Sequence, residues 1–362
     1  MLLALLMLLP CTFVSCGVIK GETVMEYNGY KITEAMYSYW VRKYKLNYSQ
    51  KYGVNWDEKL PNGLTYAEFT QSAVDAYAQK VLISMYLFDK YELKFTDAQK
   101  NSISQKIENL KVNNGGKQGL NTVLEQYGLN IDTLEDIYYE QQKFEIVKDY
   151  LFTQGGPMAV TDTDRINYYN DNYLCYDRIL IYTEKRPKLN DQGGPVYDTE
   201  GNRVWIELSE NEKADSKALI EDILSKLRAG TDSFNVLRNN YSEQSISYAE
   251  NYPDGIILCP NDEDPDVDHT ATLIKTIQDL EVGEYGVCSN QNGYGKYIIV
   301  RRPLKAFADL TEIEIYGMKN FESYVISEKS QSYFNSITVT VNDSVKRAYS
   351  IKTTGMLKDY NL

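Results

Sequence analysis

The chain has 362 residues, enough for one or two cores of ordinary size. Its 38 basic against 51 acidic residues leave a formal net charge of −13, which repels a phosphate backbone and argues against a nucleic-acid partner. The one histidine, His269, lies in the acidic run NDEDPDVDH with no GxSxG turn and no CxxC pair to support it, so a His-based hydrolase and a zinc site are both disfavoured.

In chain order, residues 1–16, MLLALLMLLPCTFVSC, form an apolar run too short to span a bilayer comfortably that ends in small residues before Cys16, the pattern of an export signal. Phe13-Val14-Ser15-Cys16 resembles the lipobox of bacterial lipoproteins. That resemblance implies a lipid on Cys16 and a location on the outer face of a bacterial cell membrane; a plain secretory signal is the alternative.

The stretch ETVMEYNG predicts a strand closed by an Asn-Gly turn, and Thr33 stands at the cap position of the helix that follows. In that helix Tyr37, Val41, Tyr44 and Tyr48 recur at helical spacing, a core stripe. A second helix near residues 65–92 carries AYAQKVLISMYLF, apolar nearly all round, which places it centrally in a bundle. Thr96 and Asp97 open a third helix, NNGGK breaks it, and two more are divided by Gly128. Residues 22–152 are therefore mainly helical, and GGPMAV at 155–160 reads as a linker.

Beyond the linker the period changes. A short helix ends at Tyr173, Leu174 to Tyr182 is a strand, and residues 184–207 predict a hairpin with its tip at DTEGN. Ser209 with Glu212 is a capping box for a helix that stops at Gly230; a short helix spans Ser233 to Asn240. GIILC is a strand, TATLIKTIQDL a helix, and GEYGVCS and KYIIVRR pair around NQNGYG. After Pro303 helical signals return in NFESYVISEKSQSYFNSI, followed by a TVTVN strand, a pattern suited to docking back on the first domain. The class is α+β. Cys175, Cys259 and Cys288 are too widely spaced for a ligand set and read as buried thiols, with one disulfide left open by an exported location. The acids from Asp262 to Asp268 lack the sixth-position Gly and twelfth-position Glu of an EF-hand loop and read as a solvated loop. No metal and no cofactor is expected.

Three stretches carry a likeness to a known family: YDRILIYT, LRAGTDSFNVLRNNYSEQ, and DLEVGEYGVCSNQNGYGKYIIVRR. In order and spacing they resemble the parvulin family of peptidyl-prolyl isomerases. The flanking LEQYGLNIDTLEDIYYEQQKFEIVKDYL and NFESYVISEKSQSYFNSITVTVN resemble the helical chaperone domain of exported foldases of the PrsA and SurA type. The resemblance implies a chaperone domain from residues 17–155 completed by 306–350, with an inserted parvulin-like (FKBP-like) α+β domain at 160–305. It also implies partners: unfolded or partly folded exported polypeptides, and the membrane through the N-terminal lipid.

At the family's two histidine positions this chain has Arg178 and Tyr297, and near Ser245 to Ser247 the family's acid or cysteine is absent. Ile256 and Leu273 are expected to floor an apolar proline pocket, with His269 at its rim. An X-Pro bond turns over a barrier of about 18–20 kcal/mol, which an apolar pocket fitted to the twisted amide lowers without a covalent step. The expectation is a client-holding foldase with a degenerate isomerase site. A fully active isomerase using Arg178 and Tyr297 as hydrogen-bond donors and a solute- or partner-binding lipoprotein are the alternatives.

Overall fold

The computed structural model describes residues 21–244, 252–260, 269–318, 320–358 and 362. The signal segment with Cys16, the Ser245 to Ser247 stretch and the acidic run 262–268 lie outside the described residues. The chain divides into two units: one runs up to Val160 and resumes at Ile326–Leu362, and the other is Thr161–Val325.

The first unit opens with strands β1 (Thr23–Tyr27) and β2 (Tyr30–Thr33), joined at an Asn28-Gly29 turn whose φ angles of 48° and 84° explain the residue choice. Five helices follow: α1 (Glu34–Tyr52), α2 (Tyr66–Lys90), α3 (Asp97–Asn113), α4 (Gly116–Glu125) and α5 (Ile131–Phe152). Helix α2 starts at a complete capping box between Thr65 and Glu68, and its consecutive Val81, Leu82, Ile83 and Ser84 are all fully buried. No side of that turn faces water, so α2 is the axis of the unit. Thr33 occupies the cap position of α1, yet its buried hydroxyl makes no capping bond. No described helix is long and apolar enough to cross a membrane.

The second unit holds α6 (Asp162–Asn172), β3 (Leu174–Tyr182), β4 (Lys185–Pro187), β5 (Trp205–Glu207), α7 (Glu210–Ala229), α8 (Phe234–Tyr241), β6 (Ile256–Leu258), α9 (Ala271–Asp279), β7 (Tyr285–Ser289), β8 (Gly295–Arg302) and α10 (Glu312–Gly317). Its main sheet is antiparallel in the order β6-β3-β8-β7. Every residue of β3 after Leu174 is buried, because both faces of the sheet are covered. On one face Ile179, Ile181, Ile298 and Val300 pack with Ile223 and Leu227 of α7 and Leu237 of α8. On the other, Tyr176, Leu180, Tyr297 and Ile299 pack with Leu273 and Ile277 of α9.

Two details differ from the sequence expectation. The 184–207 hairpin has a second tight turn besides Asp198 to Asn202: Asn190 Oδ1 accepts from Gln192 N–H and Gly194 N–H and folds the arm once more. Residues 306–325 belong with the second unit, since Phe307 and Phe321 stack at 5.5 Å and both meet the tyrosines of α6 and its cap. Only the remainder of α11 (Phe321–Ser336), β9 (Thr340–Val341) and α12 (Asp343–Arg347) rejoin the first, where β9 pairs with β1 and Phe334 is buried among Ile83, Phe88 and Phe152.

Candidate functional site

The period of two along β3 puts Tyr176, Arg178, Leu180 and Tyr182 on the α9 face and Asp177 on the other. Arg178 pairs with Ile299 of β8 and Leu180 with Tyr297, so Arg178 and Tyr297 are diagonal neighbours on one face. The guanidinium carbon lies 4.5 Å from the centre of the Tyr297 ring, a cation–π contact. Both are sealed from solvent, 3 % and 5 % exposed.

A second partner comes from the chain after α8. Strand β6 pairs β3 only as far as Tyr176, which leaves the later edge of β3 open. Residues 242–244 close it: Ser242 Oγ accepts from Leu180 N–H at 3.1 Å, Glu243 N–H donates to Leu180 O at 2.8 Å, and Glu243 Oε2 accepts from Tyr182 N–H at 2.6 Å. Burial holds the Glu243 carboxyl above its ordinary range. The amide of the next residue, Gln244, faces Arg178; assigned by its donors so that the oxygen points to the guanidinium, it accepts from Nη2 at 2.8 Å and Nε at 3.3 Å.

Asp177, fully buried on the opposite face, serves a different group. Its Oδ2 accepts from Arg238 Nη1 of α8 at 2.8 Å and from Arg302 Nη2 at 3.0 Å, and its Oδ1 from the Arg178 N–H at 2.8 Å. Arg302 also donates to Asn235 and lies over the Phe234 ring. This charge cluster fastens α8 to the sheet.

The remaining candidates gather near Tyr176. Ile256 is its direct cross-strand partner on β6 and is half-buried. His269 Nε2 lies 2.9 Å from the Tyr176 hydroxyl, with the rings edge to face at 6.0 Å. Leu273, one turn into α9 behind the Thr270 cap, is fully buried in the same apolar cluster. Cys288, the cross-strand partner of Tyr297, adds a thiol that burial pushes up, so it stays protonated near neutral pH. Cys175 and Cys259 are buried as well, and the three cysteines form no disulfide with one another.

Arg178, Tyr297, Ile256, Leu273 and His269 are thus all on or beside one sheet face. The guanidinium donates hydrogen bonds but cannot accept one or take a proton, so Arg178 offers charge and orientation and no general base. Among the described residues no group of three His, Cys, Asp or Glu stands together as a metal site. Sequence reasoning missed Tyr176, Gln244 and Cys288. Strand alternation could have found the first; nothing local marks Gln244.

No protein-family model matches the chain, and no curated protein does. Among solved structures, the crystal structure of foldase protein PrsA from Streptococcus pneumoniae str. Canada MDR_19A is similar over 83% of this chain and 94% of that chain, with 17% identity and a TM-score of 0.26.

Proposed function

We propose that this chain is an exported foldase, anchored by a lipid on Cys16 to the outer face of a bacterial cell membrane, that holds unfolded or partly folded polypeptides and has a parvulin-like isomerase site of little or no activity. One observation carries the reading. Arg178 and Tyr297, the two positions where the parvulin likeness calls for histidine, meet at 4.5 Å on one apolar sheet face and close over each other. A prolyl ring needs an open apolar floor that fits the twisted amide better than the planar one. Here the floor residue Leu273 is fully covered and the space above Tyr297 is taken by a charged side chain. Opening it would expose a guanidinium that no imidazole replaces.

Proline cis/trans exchange of a short peptide, followed by NMR with and without the full chain, tests the isomerase half. The expected exchange rate equals that of the peptide alone. Strong acceleration would establish the active-isomerase alternative and make Arg178→Ala the next variant. The holding half is tested with an aggregating client: suppression at several-fold excess of the chain is expected, and its absence overturns the client-holding reading. For the anchor, Cys16→Ala should move the mature protein out of the detergent phase, and unchanged partitioning rejects lipidation.

A further inference from the structure

The main sheet of the second unit has two edges, and the chain treats them differently. Where β6 stops short along β3, residues 242–244 close the gap, and the Glu243 carboxylate stands in for a missing strand at Tyr182 N–H. On the other side β7 is the last strand and pairs with β8 alone, Tyr285 opposite Val300, Val287 opposite Ile298 and Ser289 opposite Lys296. Gly283 N–H donates to Arg301 O at 2.8 Å, Arg301 N–H to Glu284 O at 3.1 Å, and Asn290 N–H to Gly295 O at 3.0 Å. An antiparallel ladder turns alternate residues toward its partner. Glu284, Gly286, Cys288 and Asn290 therefore face β8. The N–H and C=O groups of Tyr285, Val287 and Ser289 point away from the sheet, and no described residue hydrogen-bonds to them.

Such edges are ordinarily blunted by a lysine, a proline, or a covering helix or loop. The strand β7 is YGVCS, with neither charge nor proline, and only its start is marked: Gly283 and Glu284 together oppose Arg301 in a bulge with Gly283 at a φ of 93°. On the α9 side the strand is roofed, since a Cβ on Gly286 would meet Thr276 Cγ2 at 3.0 Å and Leu280 Cδ1 at 3.2 Å. On the opposite side the Tyr285 ring lies parallel to Phe234 at 6.4 Å, and Val287 is 40 % exposed. Three donors and three acceptors at a two-residue repeat are matched by another main chain in extended form. A second copy of this chain is a poor fit: an edge of five residues is about 17 Å long and Val287 is its exposed apolar side chain, so two copies meeting there fall well below the roughly 1,000 Å² of a specific interface. An unfolded segment follows the strand and its bulge without needing a complementary surface beyond them.

We propose that the outer edge of β7, through the backbone of Tyr285, Val287 and Ser289, is a strand-addition site for an extended segment of unfolded polypeptide. The segment lies antiparallel to β7, and its residues opposite these three exchange both backbone hydrogen bonds with them. By the period of a strand those residues lay their side chains on the Val287 side, where an uncharged β-branched residue packs best. This rests on the client-holding reading, to which it adds a place and a mode of binding, and it does not depend on the Arg178 face.

A fluorescein-labelled peptide of alternating threonine and valine, with a lysine at each end for solubility, is titrated by anisotropy into the full chain. The same peptide N-methylated at consecutive residues has both of its edges blocked and should not bind. No saturable binding by the first peptide, or equal binding by the two, overturns the proposal. Val287→Pro removes the central outward N–H at a position where an edge strand tolerates proline, and should weaken binding about tenfold or more. Val287→Lys supplies the charge that the edge lacks and should weaken binding as well; it decides if circular dichroism shows Val287→Pro to be unfolded. Unchanged binding by a folded edge variant rejects β7 as the site. Sedimentation of the peptide-free chain separates the occupants: a dimer that Val287→Lys splits would assign the edge to a second copy and overturn the proposal. Client suppression is scored apart. Its absence in the intact chain fails the client-holding reading, whereas suppression kept by an edge variant that no longer binds the peptide leaves that reading standing and removes β7 as its client site.

Discussion

Asp177 and Arg178 are neighbours in the chain with unrelated environments. Alternation along β3 separates them, and each finds partners from elsewhere: Asp177 from Arg238 and Arg302, Arg178 from Tyr297 and Gln244. The Asp177 carboxylate is fully buried, and removing one member of such a cluster leaves the others charged and uncompensated. Asp177→Asn is expected to cost about 3–5 kcal/mol, read as a lower denaturant midpoint at unchanged slope. A cost under about 1 kcal/mol would mean that the arginines reach water instead. At this scale the opposite faces follow from the period of a strand, which is local. The sequence did not predict who pairs with whom: Arg302 is 125 positions from Asp177.

Most of the helices begin at a side-chain cap; α1 and α4 do not. Thr65, Thr96, Thr161, Ser209 and Thr311 each form a full capping box, and four of the five have Glu or Gln three positions on. Thr33 has no such bond, although it sits at the same place relative to α1. Thr65→Ala should therefore cost about 1 kcal/mol, whereas Thr33→Val, which replaces a buried hydroxyl lacking a described partner by a methyl, should be neutral or stabilising. Thermal melts of the two variants check this, and a loss at Thr33→Val equal to that at Thr65→Ala would contradict it. Helix and strand spans were legible because period and cap are properties of a few adjacent residues. The second turn of the 184–207 arm was not, since NDQGG looks like any polar loop until Asn190 bonds it.

For the whole molecule, the first unit is built from two stretches far apart in the chain, and Phe334 from the second stretch is fully buried among side chains of the first. Phe334→Ala should cost about 3–5 kcal/mol by lost transfer and an unfilled cavity. Because Phe334 and Asp177 lie in different units and share no partner, the double variant should add to within about 0.5 kcal/mol in denaturant unfolding. A larger coupling would show that the two sites interact energetically.

The sequence by itself determined the mixed α+β class and the spans of most helices and strands, since these rest on local period and local caps. The tertiary structure alone decided that Phe307 and Phe321 pack with the second unit, that Gln244 answers Arg178, and that the carbonyls of Thr354, Gly355 and Leu362 accept from side chains of α1. Such contacts form between residues tens or hundreds of positions apart. Loop closure over those distances costs little more for one length than another, so it leaves no mark in the sequence that closes.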